Sequence, residues 1–149
     1  MAYQPVWANK IEIGVSATTA TPPVWTYAEL CEGIESMSFA SNEQNQQYYF
    51  LCGKGFAHNE VTGGAPELQI SGRRVAGNAA QDYIASKQFA LGTDRNSSVK
   101  ITTAEGKVIT CDCSIGDVVV FGGNTLDVNN FGCTLRFNGQ PSVTDAPAQ

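Results

Sequence analysis

The sequence predicts one mainly β domain of the α+β kind, a β-sandwich or barrel with a single flanking helix, and three observations carry that expectation. Short runs alternate apolar and polar residues with period two, clusters of Gly, Pro, Asn and Ser separate them, and one segment alone has helical periodicity. The 149 residues suffice to bury one core without covalent staples, so the whole chain, 1–149, reads as a single domain.

Taken in order, residues 1–10 read as a flexible N-terminal arm, and "KIEIGVS" is the first strand, with its isoleucines on one face. The proline-bearing "TTATPPVW" is a linker, and "SNEQNQQ" (41–47), without a core-forming residue, is a polar surface loop. "QYYFL" is a strand candidate. "FAHNEVTGG" and "APELQISGRRV" read as a hairpin turning at Gly63-Gly64, with Leu68 and Ile70 inward and Glu67, Gln69, Ser71 and Arg73 outward. Arg74 falls on the face of Leu68 and Ile70, as a charge at a sheet end or a subunit contact.

The helix is expected at about 78–91. Asn78 is the N-cap, Gln81 completes a capping box, Asp82 favours the first turn and Gly92 stops it. Ala79, Ala80, Tyr83, Ile84, Ala90 and Leu91 share one face, while Phe89 projects from the other and is a candidate partner contact. Beyond it, a three-residue loop Ala104-Glu105-Gly106 sets Ile101 against Ile109 and Val99 against Cys111, matching apolar to apolar. In "NFGCTLRFN", Phe131, Cys133, Leu135 and Phe137 face inward and Gly132, Thr134, Arg136 and Asn138 outward. Residues 139–149 read as a C-terminal tail.

"TCDCS" at 110–114 invites a search for chemistry. Period two places Ile109, Cys111, Cys113 and Ile115 in one apolar row, where free cysteine acts as a small hydrophobe. A zinc site would want two to four residues within each cysteine pair, and a thioredoxin-like motif two. The single histidine, His58, has Glu60 two residues on, and a Cys-His pair with Cys52 or Cys133 is conceivable, but no nucleophile elbow, phosphate loop or metalloprotease motif accompanies it. The expectation is a protein that is not an enzyme and holds no metal or cofactor.

With 9 basic and 14 acidic residues the net charge is −5, against a protein that grips nucleic acid by neutralising phosphates. Charge is uneven: residues 1–72 carry seven acids and two bases, 73–100 two acids and five bases, and 101–149 five acids and two bases, a pattern suited to complementary contacts between copies. No basic region leads into an apolar run and no 18-residue apolar stretch occurs, so secretion and membrane spanning are unsupported and a reducing cytoplasm is expected.

The order and spacing of "YQPVWANKIEIGVS", "QQYYFLCGKGFAHNEVTG", "ISGRRVAGNAAQDYIASKQFALG" and "CTLRFNGQPS" resemble the major tail tube protein of bacteriophages with long, flexible, non-contractile tails (the siphovirus type), over nearly the full length. That resemblance implies a structural virion protein assembled in the host cytoplasm. Six copies form a ring, rings stack into the hollow tube through which the genome passes, and a hairpin pair from each subunit joins its neighbours in a continuous inner barrel. Tape-measure and tail-end proteins are the implied partners, DNA transits without specific binding, and no membrane is involved. On this reading Glu60, Glu67 and Gln69, at polar positions of the expected hairpin, are lumen-facing candidates, and Arg74 and Phe89 subunit contacts. A carbohydrate- or protein-binding β-sandwich module is the alternative, with Trp7, Trp25 and Tyr27 as its aromatics.

Overall fold

Residues 3–21 and 23–145 are described by the computed structural model. Ten strands and one helix follow in chain order: β1 (Lys10–Ala17), β2 (Trp25–Glu29), β3 (Ile34–Ala40), β4 (Gln44–Tyr49), β5 (Ala57–Gly63), β6 (Glu67–Arg73), α1 (Ala79–Ser86), β7 (Asn96–Thr102), β8 (Lys107–Val119), β9 (Asn130–Phe137) and β10 (Ser142–Asp145). Eight strands form one antiparallel sheet in the order β2-β1-β7-β8-β9-β6-β3, with β10 added beside β8, and β4 and β5 form a separate two-stranded sheet.

The large sheet curls, so the side chains of its inner face meet in one core. Ile11 of β1 and Met37 of β3, near opposite ends of the strand order, line the same groove as Leu30 and Ile34. Ile13, Val99, Cys113, Ile115, Phe131, Cys133, Leu135, Leu68 and Ile70 fill the interior, and Ala80 and Ile84 bring α1 onto it. The expected row of Ile109, Cys111, Cys113 and Ile115 lies along β8, with both cysteines buried. Burial pushes the thiols of Cys113 and Cys133 up to about 12, as expected where a thiolate would lose its hydration. Strands β7 and β8 pair in the expected register, Val99 with Cys111 and Ile101 with Ile109, around Gly106 at φ +93°.

Several expectations are corrected. β5 and β6 do not form a hairpin. β6 lies between β3 and β9, with Leu68 opposite Leu135 and Ile70 opposite Cys133, because the Leu68 and Ile70 side chains belong in the core. Its edges are therefore occupied. The supposed loop at 41–47 supplies the first part of β4 and the strand candidate "QYYFL" its end, and β4 pairs with β5, Tyr48 opposite His58 and Gln46 opposite Glu60. Residues 142–145 of the expected tail form β10, while 146–149 lie outside the described residues. β2 and β3 were not foreseen, since "WTYAE" and "IESMSFA" alternate weakly and are only half-buried.

The helix is capped as expected, Asn78 Oδ1 accepting from Gln81 N at 3.1 Å, but it ends at Ser86, five residues early. Arg95 explains the stop: its guanidinium donates to the carbonyls of Gln88 (2.6 Å), Ala90 (2.8 Å) and Ile115 (3.1 Å), tying the turn after the helix to β8. Leu91 is consequently exposed rather than on the buried helix face. Gln81 forms no capping box. Fully buried, its Oε1 accepts from Val75 N (2.8 Å) and Arg74 Nη1 (3.3 Å), and its Nε2 donates to the carbonyls of Glu32 (2.8 Å) and Arg73 (3.1 Å). Thr134, expected outward, is only 4% exposed, at the floor of a groove on that face.

Candidate assembly interface

Two surfaces distinguish this chain from an ordinary small β domain. The first is the β4–β5 hairpin. At its stem, Ala65 N donates to Ser41 O (3.1 Å) and Asn42 Nδ2 to Ala65 O (3.0 Å), and everything between projects away from the core. Every residue of β4 and β5 is exposed. Tyr48 stacks on Phe50 at 5.9 Å between ring centroids, and Phe50 tilts against His58 at 5.9 Å, but Leu51 and Phe56 at the tip touch water on nearly all sides. An isolated two-stranded ribbon is marginally stable in water at best, and exposed apolar tips of this kind mark a candidate contact surface. Glu60 lies on this hairpin, on the face of Tyr48 and His58, and not on the element that carries Glu67 and Gln69.

The second surface is the outer face of β3, β6, β9 and the C-terminal half of β8. Here Gln69 opposes Thr134, Ser71 opposes Gly132 and Glu67 opposes Arg136, while Ser36 and Ser71 share a 2.6 Å hydrogen bond. A shallow groove of about 350 Å³ runs across it, lined by Ser36, Ser38, Gln69, Ser71 and Thr134. Its charges are paired: Arg73 Nε donates to Glu35 at 2.9 Å and Nη1 to Asn130 Oδ1 at 2.8 Å, and Arg136 meets Asp117 at 2.8 Å and Glu67 at 3.7 Å. Three acids against two bases leave this face at −1.

Arg74 and Phe89 occupy the helix side. Arg74 spends its donors within the chain, on the Val75 carbonyl (2.7 Å), Gln81 and Asp82 Oδ1 (2.8 Å), and its hydrogen bond holds the Asp82 carboxyl below the usual carboxylate range. Phe89 is 85% exposed, beside exposed Leu91. Further apolar exposure gathers at Phe121, Leu126 and Val128 in the β8–β9 loop and at Tyr3 and Trp7.

The binding-module alternative would want its aromatics gathered on one face. Trp25 covers Gly14, Tyr27 hydrogen-bonds Ser98 at 2.9 Å beneath Lys100, and Trp7 stands apart, so the three aromatics form no shared platform. His58 is on the projecting hairpin and Cys133 in the core, so the structure does not bring that pair together. Among the described residues no group of His, Cys, Asp and Glu could hold a metal ion, and no helix is long and apolar enough to cross a membrane.

No family model and no curated protein matches the sequence. Solved structures do match the fold. A chain in the tail of an empty gene transfer agent (GTA) particle, refined helically with C6 symmetry, superposes with a TM-score of 0.70 at 12% identity, over 95% of this chain and 99% of that one. A chain in the virion of the native GTA particle gives 0.64 at 10% identity, over 95% and 99%. One in the sheath–tube complex of an extracellular contractile injection system, in its extended state, gives 0.52 at 12%, over 97% and 93%. The chain thus has a mainly β, one-helix fold like those of tail-assembly chains.

Proposed function

We propose that this chain is the structural subunit of a tail tube of the long, non-contractile type, six copies closing into a ring and rings stacking into a conduit for DNA. The observation that carries the reading is the β4–β5 hairpin, a fully exposed ribbon with apolar tips on an otherwise well-packed body, which calls for copies of the chain around it. End-to-end fold similarity to a chain in a C6-symmetric tail supports it. In this reading the particle tail is the protein's destination, host cytoplasm its place of assembly, and tape-measure and tail-end proteins its other partners. No catalytic role is assigned.

Glu67 and Gln69 face the lumen in this proposal, on the hydroxyl-rich outer face whose charges are already paired. Such a surface offers transiting phosphates little counterion release and hence little grip. Glu60 reaches the lumen through the placement of the hairpin against the next copy. Phe89 is a direct subunit contact, and Arg74 acts through the helix it orients.

Negative-stain electron microscopy of the concentrated protein tests assembly, with rings or tubes the expected result. A species that stays monomeric at high concentration under assembly-promoting conditions would remove the proposal. Replacing Glu67 by lysine should hinder DNA passage, and unchanged infectivity with intact tails would sink its lumen assignment.

A further inference from the structure

The backbone around Asp117 departs from regular strand geometry in a way that aims one carboxylate. β8 and β9 slip register between Gly116 and Val119, and Asp117, a non-glycine residue, sits at φ +51°, a left-handed conformation that L side chains adopt at a cost. Gly116 completes the arrangement. A Cβ there would come within 2.2 Å of Arg136 Nη1, so the glycine leaves room for the Nη1 end of the guanidinium, which reaches Asp117 at 2.8 Å through Nη2 while Glu67 approaches Nε at 3.7 Å. At the far end of the same face Glu35, beside another register slip, takes Arg73 at 2.9 Å. These pairs are about half exposed, a setting in which ion pairs add little stability, so fold energetics alone do not account for the bulge.

We infer that Glu35, Glu67 and Asp117 are charge guards: they occupy Arg73 and Arg136 so that neither arginine on this face engages the phosphates of double-stranded DNA. The inference rests on the proposed conduit for its purpose, but the masking is a property of the subunit. An unmasked arginine is a strong bidentate phosphate ligand, and two of them about 20 Å apart along β6 and β9 would brake a passing duplex. With carboxylates in place, a phosphate must displace a bound partner and meets a face of net −1.

The test is salt-dependent binding of a short DNA duplex to the full-length subunit by fluorescence anisotropy. The variant E35Q/E67Q/D117N is compared with E29Q/E43Q/E105Q, which changes net charge equally at exposed positions off this face. Freeing two arginines should make the log–log salt slope steeper by about 1.8 relative to that control, at roughly 0.9 per phosphate, and adding R73Q/R136Q should abolish the gain. Binding no tighter than the control, or a gain that survives removal of both arginines, overturns the inference. E35Q alone, at an exposed pair on the sheet margin, carries the same test with about half the slope change if the triple variant unfolds. A separate arm decides the location of the face. In a C31S/C52S background, S38C is labelled with a bulky maleimide in tubes and in free subunits. Protection in tubes supports the lumen; equal rates remove the lumen reading while the binding arm still decides the masking.

Discussion

The curled sheet and the projecting hairpin are both antiparallel β structure, yet one is self-sufficient and the other is not. In the sheet each strand finds its apolar row covered: Leu135, Ile115, Val99 and Ile13 are all at 2% exposure or less. In the hairpin both faces of both strands are open, and its aromatic side chains satisfy one another only in part. Backbone pairing is common to the two, so what separates them is where the apolar surface goes. For the sheet it goes inward, and for the hairpin it stays on the surface, open to another molecule.

Breaking the hairpin should give the largest effect on assembly and almost none on the body. F50S/L51S/F56S is expected to abolish rings and tubes in electron micrographs while leaving the melting temperature of the free subunit unchanged, and tubes formed at wild-type yield would contradict the division. The reverse experiment is Leu135→Ala, which should destabilise the subunit by about 2–5 kcal/mol in denaturant titration, through lost burial and a cavity among strands that cannot collapse. Cys111→Ala with Cys113→Ala is a milder version, on the order of 1–3 kcal/mol in total. It should leave metal content unchanged, and zinc present in the wild type but lost from this variant would overturn the packing role.

A subtler probe is alkaline pH. Cys113 and Cys133 are raised from 9.0 to about 12, so the folded state prefers the neutral thiol. Their contribution is fully present below pH 9 and is lost as pH rises toward 12. Thermal melts between pH 9 and 11 should show the wild type losing stability faster than Cys113→Val with Cys133→Val, by up to about 1.4 kcal/mol per pH unit per thiol. Parallel curves would mean that the thiols are more hydrated than their burial implies. The smallest effect is at acid pH. Asp82 is lowered by Arg74, so its contribution is present above pH 3.8 and disappears as pH falls below it, and Asp82→Asn should slightly flatten the acid limb of the stability curve.

The same division explains what the sequence disclosed. β7, β8 and β9 were legible because their period-two rows face a core within the chain and Gly106 fixes their register. The start of β4 reads as a loop because "QNQ" has no buried face in its own chain to impose a period, while its end falls within the strand candidate "QYYFL". Gly63-Gly64 looked like a turn between β5 and β6, yet the chain there crosses from the hairpin back to the body, beside Ser41. The helix start was written in Asn78, but its end depends on Arg95, a side chain four residues past the expected stop at 91 that acts through distant carbonyls. The polar face was partly visible, since Glu67 and Gln69 alternate with the core row. Its pairing with β9 and the bulge at Asp117 are consequences of tertiary register that no local pattern records.

Gln81 seats the helix on the body. It joins the start of α1 to the chain before β3 and to the end of β6 through an amide that carries no charge. Unlike the ion pairs on the sheet face, that knot does not weaken with salt or protonate in acid. Changing it to glutamate would turn two donors toward the Glu32 and Arg73 carbonyls into acceptors, and changing it to leucine would strand those same carbonyls. The position therefore tolerates neither added charge nor added grease, and the helix stays seated as the ionic environment changes.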